Sequence, residues 1–179
     1  VSAISAQKNL IIIIDLSDVT PNDVNAILRI KQSASLLLNV SSYRDFIGIV
    51  TYTEFGITYL PQMIRATLAN IQNLNAYVNT LRIVANSSSN LGNALTSAYQ
   101  MLQNSIDAGA TSLCHNVFMI LSSGTNDMIT LDPINVVKQY HPNLQTMIFS
   151  NVYTSSANAF ALSSLSEISC YTNGDIQLV

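Results

Sequence analysis

Charge is what this chain has least of. Lys, Arg, Asp and Glu make up 9% of its 179 residues, against about 25% in ordinary domains. Seven basic and ten acidic residues leave a net charge of −3. That gives no cluster of Lys and Arg to hold nucleic acid, and no reason to expect binding to an anionic membrane. No apolar run approaches the roughly 18 residues of a membrane helix, so direct membrane insertion by this segment is not expected. The opening Val1-Ser-Ala-Ile-Ser-Ala6 lacks the positive flank and apolar core of a signal peptide. It also lacks an initiator Met, which reads as a processed chain or an excised segment of a larger protein. The six glycines form neither Gly-x-Gly-x-x-Gly nor Gly-x-x-x-x-Gly-Lys, so nucleotide binding has no support. No pair of Cys or His has zinc-site spacing. His115 and His141 have no Ser or Cys partner in a catalytic setting and read as turn or surface residues. An enzyme would need a nucleophile–base pair or a cofactor loop, and the sequence offers neither.

Asn and Ser, 41 of 179 residues, take the place of charge. Such an exterior fits a glycosylated extracellular or cell-surface protein, one packed inside a large assembly, or a codon bias without functional meaning. Asn39-Val-Ser41 and Asn86-Ser-Ser88 are candidate glycosylation sequons. Hydrophobic residues, at 49%, suit one domain with a sizeable core.

Asn9-Leu-Ile-Ile-Ile-Ile-Asp15-Leu-Ser17 carries the most information. A short β-branched run reads as a strand buried on both faces. It ends in a carboxylate and a hydroxyl, at the edge where open α/β sheets bind ligands. Thr20-Pro21-Asn-Asp23 opens a helix that runs through Val40. Strands follow at Phe46–Thr53 and Ile57–Leu60, the second antiparallel to the first. Helical spacing marks 69–83 and, most cleanly, Leu91, Ala94, Leu95, Ala98 and Leu102. A strand over 116–122 precedes the loop Ser123-Gly-Thr-Asn-Asp127. A helix over 131–140, a strand over 144–150, a helix over 157–169 and a strand over 175–179 complete the order. This predicts an α/β fold: a Rossmann-like, mostly parallel six-stranded sheet with one antiparallel edge strand and helices on both faces. Asp15, the 86–90 loop and the 122–127 loop then converge on the carboxyl edge.

That convergence resembles the von Willebrand factor type A domain over nearly the whole chain, about Asn9 to Val179. The resemblance implies a metal-ion-dependent adhesion site built on Asp-x-Ser-x-Ser, a loop Thr and an Asp after the fourth strand. Here Asp15 and Ser17 match the first two ligands, and Val19 stands at the third motif position. Ser89 stands at the Thr position, before Leu91-Gly92-Asn93-Ala94-Leu95. Ser123 stands at the Asp position, in Leu121-Ser-Ser-Gly124. Within the family the chain is most similar to the domain of calcium-channel alpha-2/delta subunits and related Cache-containing proteins. Gln103-Asn104-Ser105, Cys114-His-Asn116 and Cys170-Tyr-Thr-Asn-Gly174 carry that likeness. The family usually continues into a final helix that this segment lacks.

A hard cation needs about six oxygen ligands, with affinity set by carboxylates. One carboxylate remains of two, so the expected site is degenerate and metal-free, or at most a weak Mg²⁺ or Ca²⁺ site on Asp15, Ser17 and Ser89. Asp15 then reads as a carboxylate that fixes the loops. In the family's sheet order another strand separates Cys114 from Cys170. Two strand spacings are about 9.6 Å, beyond the roughly 7 Å Cα reach of a disulfide, but loops can bend inward. An internal bond, bonds outside the segment and two free buried thiols all stay open. The expected function is a non-enzymatic extracellular protein-interaction or structural module, with an interaction edge of Asp15, Ser17, Asp18, Ser89, Asn90, Ser123 and Asp127. The alternative is a metal-dependent adhesion or receptor domain, such as a channel auxiliary-subunit-like one.

Overall fold

A computed structural model of the chain describes residues 7–17, 25–124, 131–153 and 159–179. The aliphatic run becomes β1 (Lys8–Asp15), and Leu10 to Ile14 are each at most 3% exposed. Ile11 and Ile13 face one core; Leu10, Ile12 and Ile14 face another. Each such side chain is worth about 1.5–3 kcal/mol when fully buried, so β1 is the strand on which both layers rest.

Helix α1 (Ala26–Val40) buries Ile30, Ala34 and Leu38 against the second core. The chain returns as β2 (Phe46–Tyr52), parallel to β1, and turns into the antiparallel edge strand β3 (Gly56–Thr58). A two-residue β4 (Ile64–Arg65) also pairs antiparallel with β2, which makes seven strands where the sequence pattern marks six. Two residues are too few to show a period. Helix α2 (Leu68–Thr80) joins α1 on that face, with Thr67 accepting from the Asn70 N–H as its cap.

Helix α3 (Leu91–Asp107) packs on the opposite face, followed by β5 (His115–Ser122), α4 (Pro133–Leu144), β6 (Thr146–Val152), α5 (Ala159–Tyr171) and β7 (Ile176–Leu178). The order is β3-β2-β1-β5-β6-β7, with β1, β2, β5, β6 and β7 mutually parallel. The sequence places the end of the fourth helix at Tyr140, two residues before Pro142. The helix instead runs on to Leu144, because a proline in the last turn removes a single intrahelical N–H bond near the end of the ladder. The Thr20-Pro21 helix start lies outside the described residues.

At the amino edge one ion pair ties β1 to β2. The buried Asp45 carboxylate accepts the Lys8 N–H (3.0 Å), the Lys8 ammonium (2.8 Å) and the Ser42 N–H (2.8 Å). Burial alone would raise this carboxyl. The Lys8 side chain, the N–H groups of Ser42 and Lys8 and the Lys8 charge outweigh it and leave Asp45 below its ordinary value of 3.8. A depressed carboxylate stabilises the fold fully above its unfolded value, and that contribution is lost as pH falls through the folded one. Asp45→Asn should therefore lose about 2 kcal/mol at neutral pH and show a flatter acid limb below pH 3.8. Urea titrations over a pH series measure both.

Candidate functional site

The parallel register sets the site. Asp15 pairs with Tyr52 on one side, and Ile14 pairs with Leu121 on the other, so Ser122 lies level with Asp15. Residues on one rung of neighbouring strands point to the same face. Tyr52, Asp15 and Ser122 thus share a rung across β2, β1 and β5 on the α3 side of the sheet. The loop before α3 brings Ser89 to the same place.

All four residues are buried, none more than 2% exposed. Asp15 Oδ1 accepts the Ser17 N–H (3.0 Å) and hydroxyl (2.6 Å). Its Oδ2 accepts the Ser122 hydroxyl (2.9 Å) and the Ser89 hydroxyl (3.4 Å). The Tyr52 hydroxyl lies against the same group and interacts with Asp15, Ser89 and Ser122. Gly124, at φ +82°, turns its N–H back onto Ser122 Oγ at 2.9 Å. That left-handed backbone is one for which glycine is suited.

Burial pushes the Asp15 carboxyl above its ordinary value, and bonds from Ser17, Ser122 and Tyr52 pull it only part of the way back. Burial, and then the Asp15 charge beside it, hold the Tyr52 phenol well above the usual tyrosine range. Tyr52 therefore stays a hydroxyl donor at any physiological pH.

The loops around this group are tied together. Val84 N–H donates to Leu16 O (2.9 Å) and Asn90 N–H to Thr53 O (2.9 Å). Asn90 Oδ1 caps α3 through the Asn93 N–H (3.1 Å). A Cβ at Gly92 would run into the Leu131 carbonyl, so the small residue lets α3 start hard against the loop before α4.

The structure brings Asp15, Ser17 and Ser89 together as the motif spacing predicts. It puts Ser122 on Asp15, one residue before the position that the resemblance marks at Ser123. Ser123 is buried just past the end of β5. Sequence reasoning missed Tyr52 and Ser122. Aligning the ends of the three parallel strands, rather than the motif alone, would have found both. Asp15, Ser17, Ser89, Asn90 and Ser123 are all at most 1% exposed, and Asp18, Val19 and Asp127 lie outside the described residues. Among the described residues of this edge, Glu54, Phe55, Val84, Ala85 and Asn86 are exposed. Asn39, the other sequon asparagine, is also exposed and bonds to Asn75 Nδ2 at 3.1 Å. Cys114 and Cys170 are unpaired and exposed, which removes the reading of two buried thiols.

Solved structures share this arrangement of elements. The von Willebrand factor type A protein from Catenulispora acidiphila superposes with a TM-score of 0.81 at 16% identity, over 97% of this chain and 39% of that one. The chain has the von Willebrand factor type A fold. The zinc-occupied form of proximal thread matrix protein 1 from the mussel byssus matches this fold with a TM-score of 0.74 at 11% identity, over 96% of this chain and 41% of that one. BatB from Bacteroides thetaiotaomicron gives 0.69 at 12% identity, over 96% and 89%. The chain thus spans about two fifths of the first of these relatives. No family model matches the sequence, and no curated protein does.

Within this fold the donor set decides how well a cation fits. Among the described residues it consists of one carboxylate, three serine hydroxyls and the Tyr52 phenol, with both carboxylate oxygens already accepting from N–H and O–H donors. Among the described residues no three of His, Cys, Asp and Glu gather as metal ligands. This set suits a carboxylate that binds loops to a strand end better than it suits a hard divalent ion.

The two roles separate on mutation. Asp15→Ala strands the surrounding donors and should cost about 3 kcal/mol with chelator present. Asp15→Asn should stay within about 1 kcal/mol of wild type, because serine hydroxyls can rotate from donating to accepting. A raised carboxylate contributes most below its unfolded value of 3.8 and loses that contribution as pH climbs through the folded one. Asp15→Asn should remove that downward slope, as read by urea denaturation from about pH 3.5 to 7.

Proposed function

We propose that this chain is a non-enzymatic protein-interaction or structural module of an extracellular or cell-surface protein or assembly, working without a bound metal. The observation that carries the reading is the Asp15 carboxylate, enclosed by donors from Ser17, Ser122 and Ser89. Asp15 is then the knot that fixes the carboxyl-edge loops. Contact with a partner falls to what those loops hold outward, at Glu54, Phe55, Val84 and Asn86. Asp18 and Asp127 belong to the same proposed edge by their place in the sequence. Domains of this fold are generally interaction modules rather than enzymes, and the shape supports that much directly. The low charge and the sequons at Asn39 and Asn86 support the extracellular glycoprotein setting, in which Cys114 and Cys170 would pair with each other or outside the segment. No helix among the described residues is long and apolar enough to cross a membrane.

The second reading is metal-dependent adhesion. It is favoured by one observation, the mussel matrix protein whose adhesion motif holds zinc in the same fold. In this chain Asp15, Ser17 and Ser89 would be the ligands of a weak Mg²⁺, Ca²⁺ or zinc site.

Melting curves with and without cation tell the readings apart. A metal at a hundred times its Kd adds about 2.7 kcal/mol, roughly 5–10 °C for a chain of this size. Wild type should shift by less than about 1 °C with Mg²⁺, Ca²⁺, Mn²⁺ or Zn²⁺. A rise of several degrees that chelator abolishes would overturn the metal-free reading. Ser122→Asp, which sets a second carboxylate beside Asp15, should melt below wild type in chelator and recover part of the loss with Mg²⁺.

A further inference from the structure

The edge strand β3 and the residues beside it carry an apolar stripe that is largely exposed. Ile57, in the middle of β3, is 63% exposed, flanked by Phe55 just before the strand at 64% and by Tyr59 just after it at 37%. Gly56 lies so close to Asn93 O and Ser97 Oγ of α3 that a Cβ would not fit. Tyr59 stacks on Tyr77 of α2 with ring centroids 4.1 Å apart. Three apolar side chains at this spacing, on and beside the strand that ends the sheet, are the pattern that natural sheets usually avoid or cover.

The backbone holding the stripe is rigid. Thr53 O accepts from Asn90 N–H (2.9 Å), Glu54 O from the Asn93 side chain (2.8 Å) and Phe55 O from Thr53 N–H (3.2 Å). The turn's carbonyls are therefore committed, and Phe55 is displayed rather than mobile. Displaying a side chain from a fixed backbone lowers the ordering cost of binding. Glu54 is exposed at the carboxyl-edge end of the stripe and stands in no ion pair among the described residues.

We infer that β3 takes a strand from a partner protein: an extended segment with alternating apolar residues and a basic residue placed over Glu54. An open edge recognises such a segment by main-chain hydrogen bonds, and alternate side-chain positions give the selectivity. The charge decides against a second copy of this chain as the occupant. In two-fold antiparallel pairing centred on Ile57, Glu54 would meet Leu60, which carries no cation. An arginine there can pair with Glu54 and stack on Phe55. The inference rests on the reading of the chain as an interaction module and names one surface and partner chemistry for it.

The test uses the intact chain and two capped probes, the hexapeptides Thr-Val-Thr-Val-Thr-Arg and Thr-Val-Thr-Val-Thr-Glu, with binding followed by amide chemical shifts. The arginine probe should perturb residues 54–59 first and bind about threefold tighter than the glutamate probe, the scale of an exposed ion pair. Glu54→Gln should remove that preference, and Ile57→Lys should weaken both probes at least tenfold while the melting temperature holds. Equal affinity for the two probes, or no shift along β3, overturns the proposal. Shifts confined to residues 15–17 and 84–90 overturn it too, while leaving the module reading in place. Self-association of the chain alone that Ile57→Lys abolishes hands the surface to a second copy.

Discussion

A single carboxylate, buried at the end of the central strand, organises one whole edge of this molecule. Asp15 sits where β1 stops, and water cannot reach it to satisfy its charge. Only N–H and O–H groups brought in from elsewhere can do so. They come from the turn after β1, from the loop before α3 and from the end of β5, with the Tyr52 phenol from β2. Each donor fixes the segment that bears it. The position of α3, and with it the β2–β3 turn bonded to its first residues, follows from how those segments are held. Removing the charge while keeping the shape and removing the side chain altogether are therefore different perturbations: the first leaves the loops a partner and the second does not.

The fold was largely legible in the sequence because its signals are local. Five consecutive aliphatics, the 91–102 helical spacing and the alternation of strand and helix patterns each report on burial within a few residues. What stayed hidden depends on pairing between distant strands. That Ser122 rather than Ser123 meets Asp15 follows from register, and register joins residues 107 positions apart. Tyr52 is invisible for the same reason, since its hydroxyl matters only once β2 lies beside β1. The fourth helix runs four residues past the predicted Tyr140, because its last turn tolerates Pro142. β4 was missed because a strand of two residues has no pattern.

The motif reading and the structure also weigh the same residues differently. As a motif, Asp15, Ser17 and Ser89 are the remains of an ion site with ligands missing. As a structure, they form a hydrogen-bonded group in which the serine hydroxyls donate to the Asp15 carboxylate. A hydroxyl serves either role, so losing one charged partner can convert a binding site into a brace with few other changes. Under the proposed reading, contact with a neighbour falls to the exposed rim rather than to the buried motif residues.

The central place of β1 also carries a cost in time. Its partner β2 follows within about forty residues, but β5 pairs with it only after residue 115. During folding, a segment of five aliphatics must wait for a neighbour more than a hundred residues away. Contacts of such long range form slowly, and an unpaired β-branched run is the kind of sequence that pairs with other chains instead. The strand that gives the finished domain its stability is thus also the point at which an unfinished one is most exposed to aggregation.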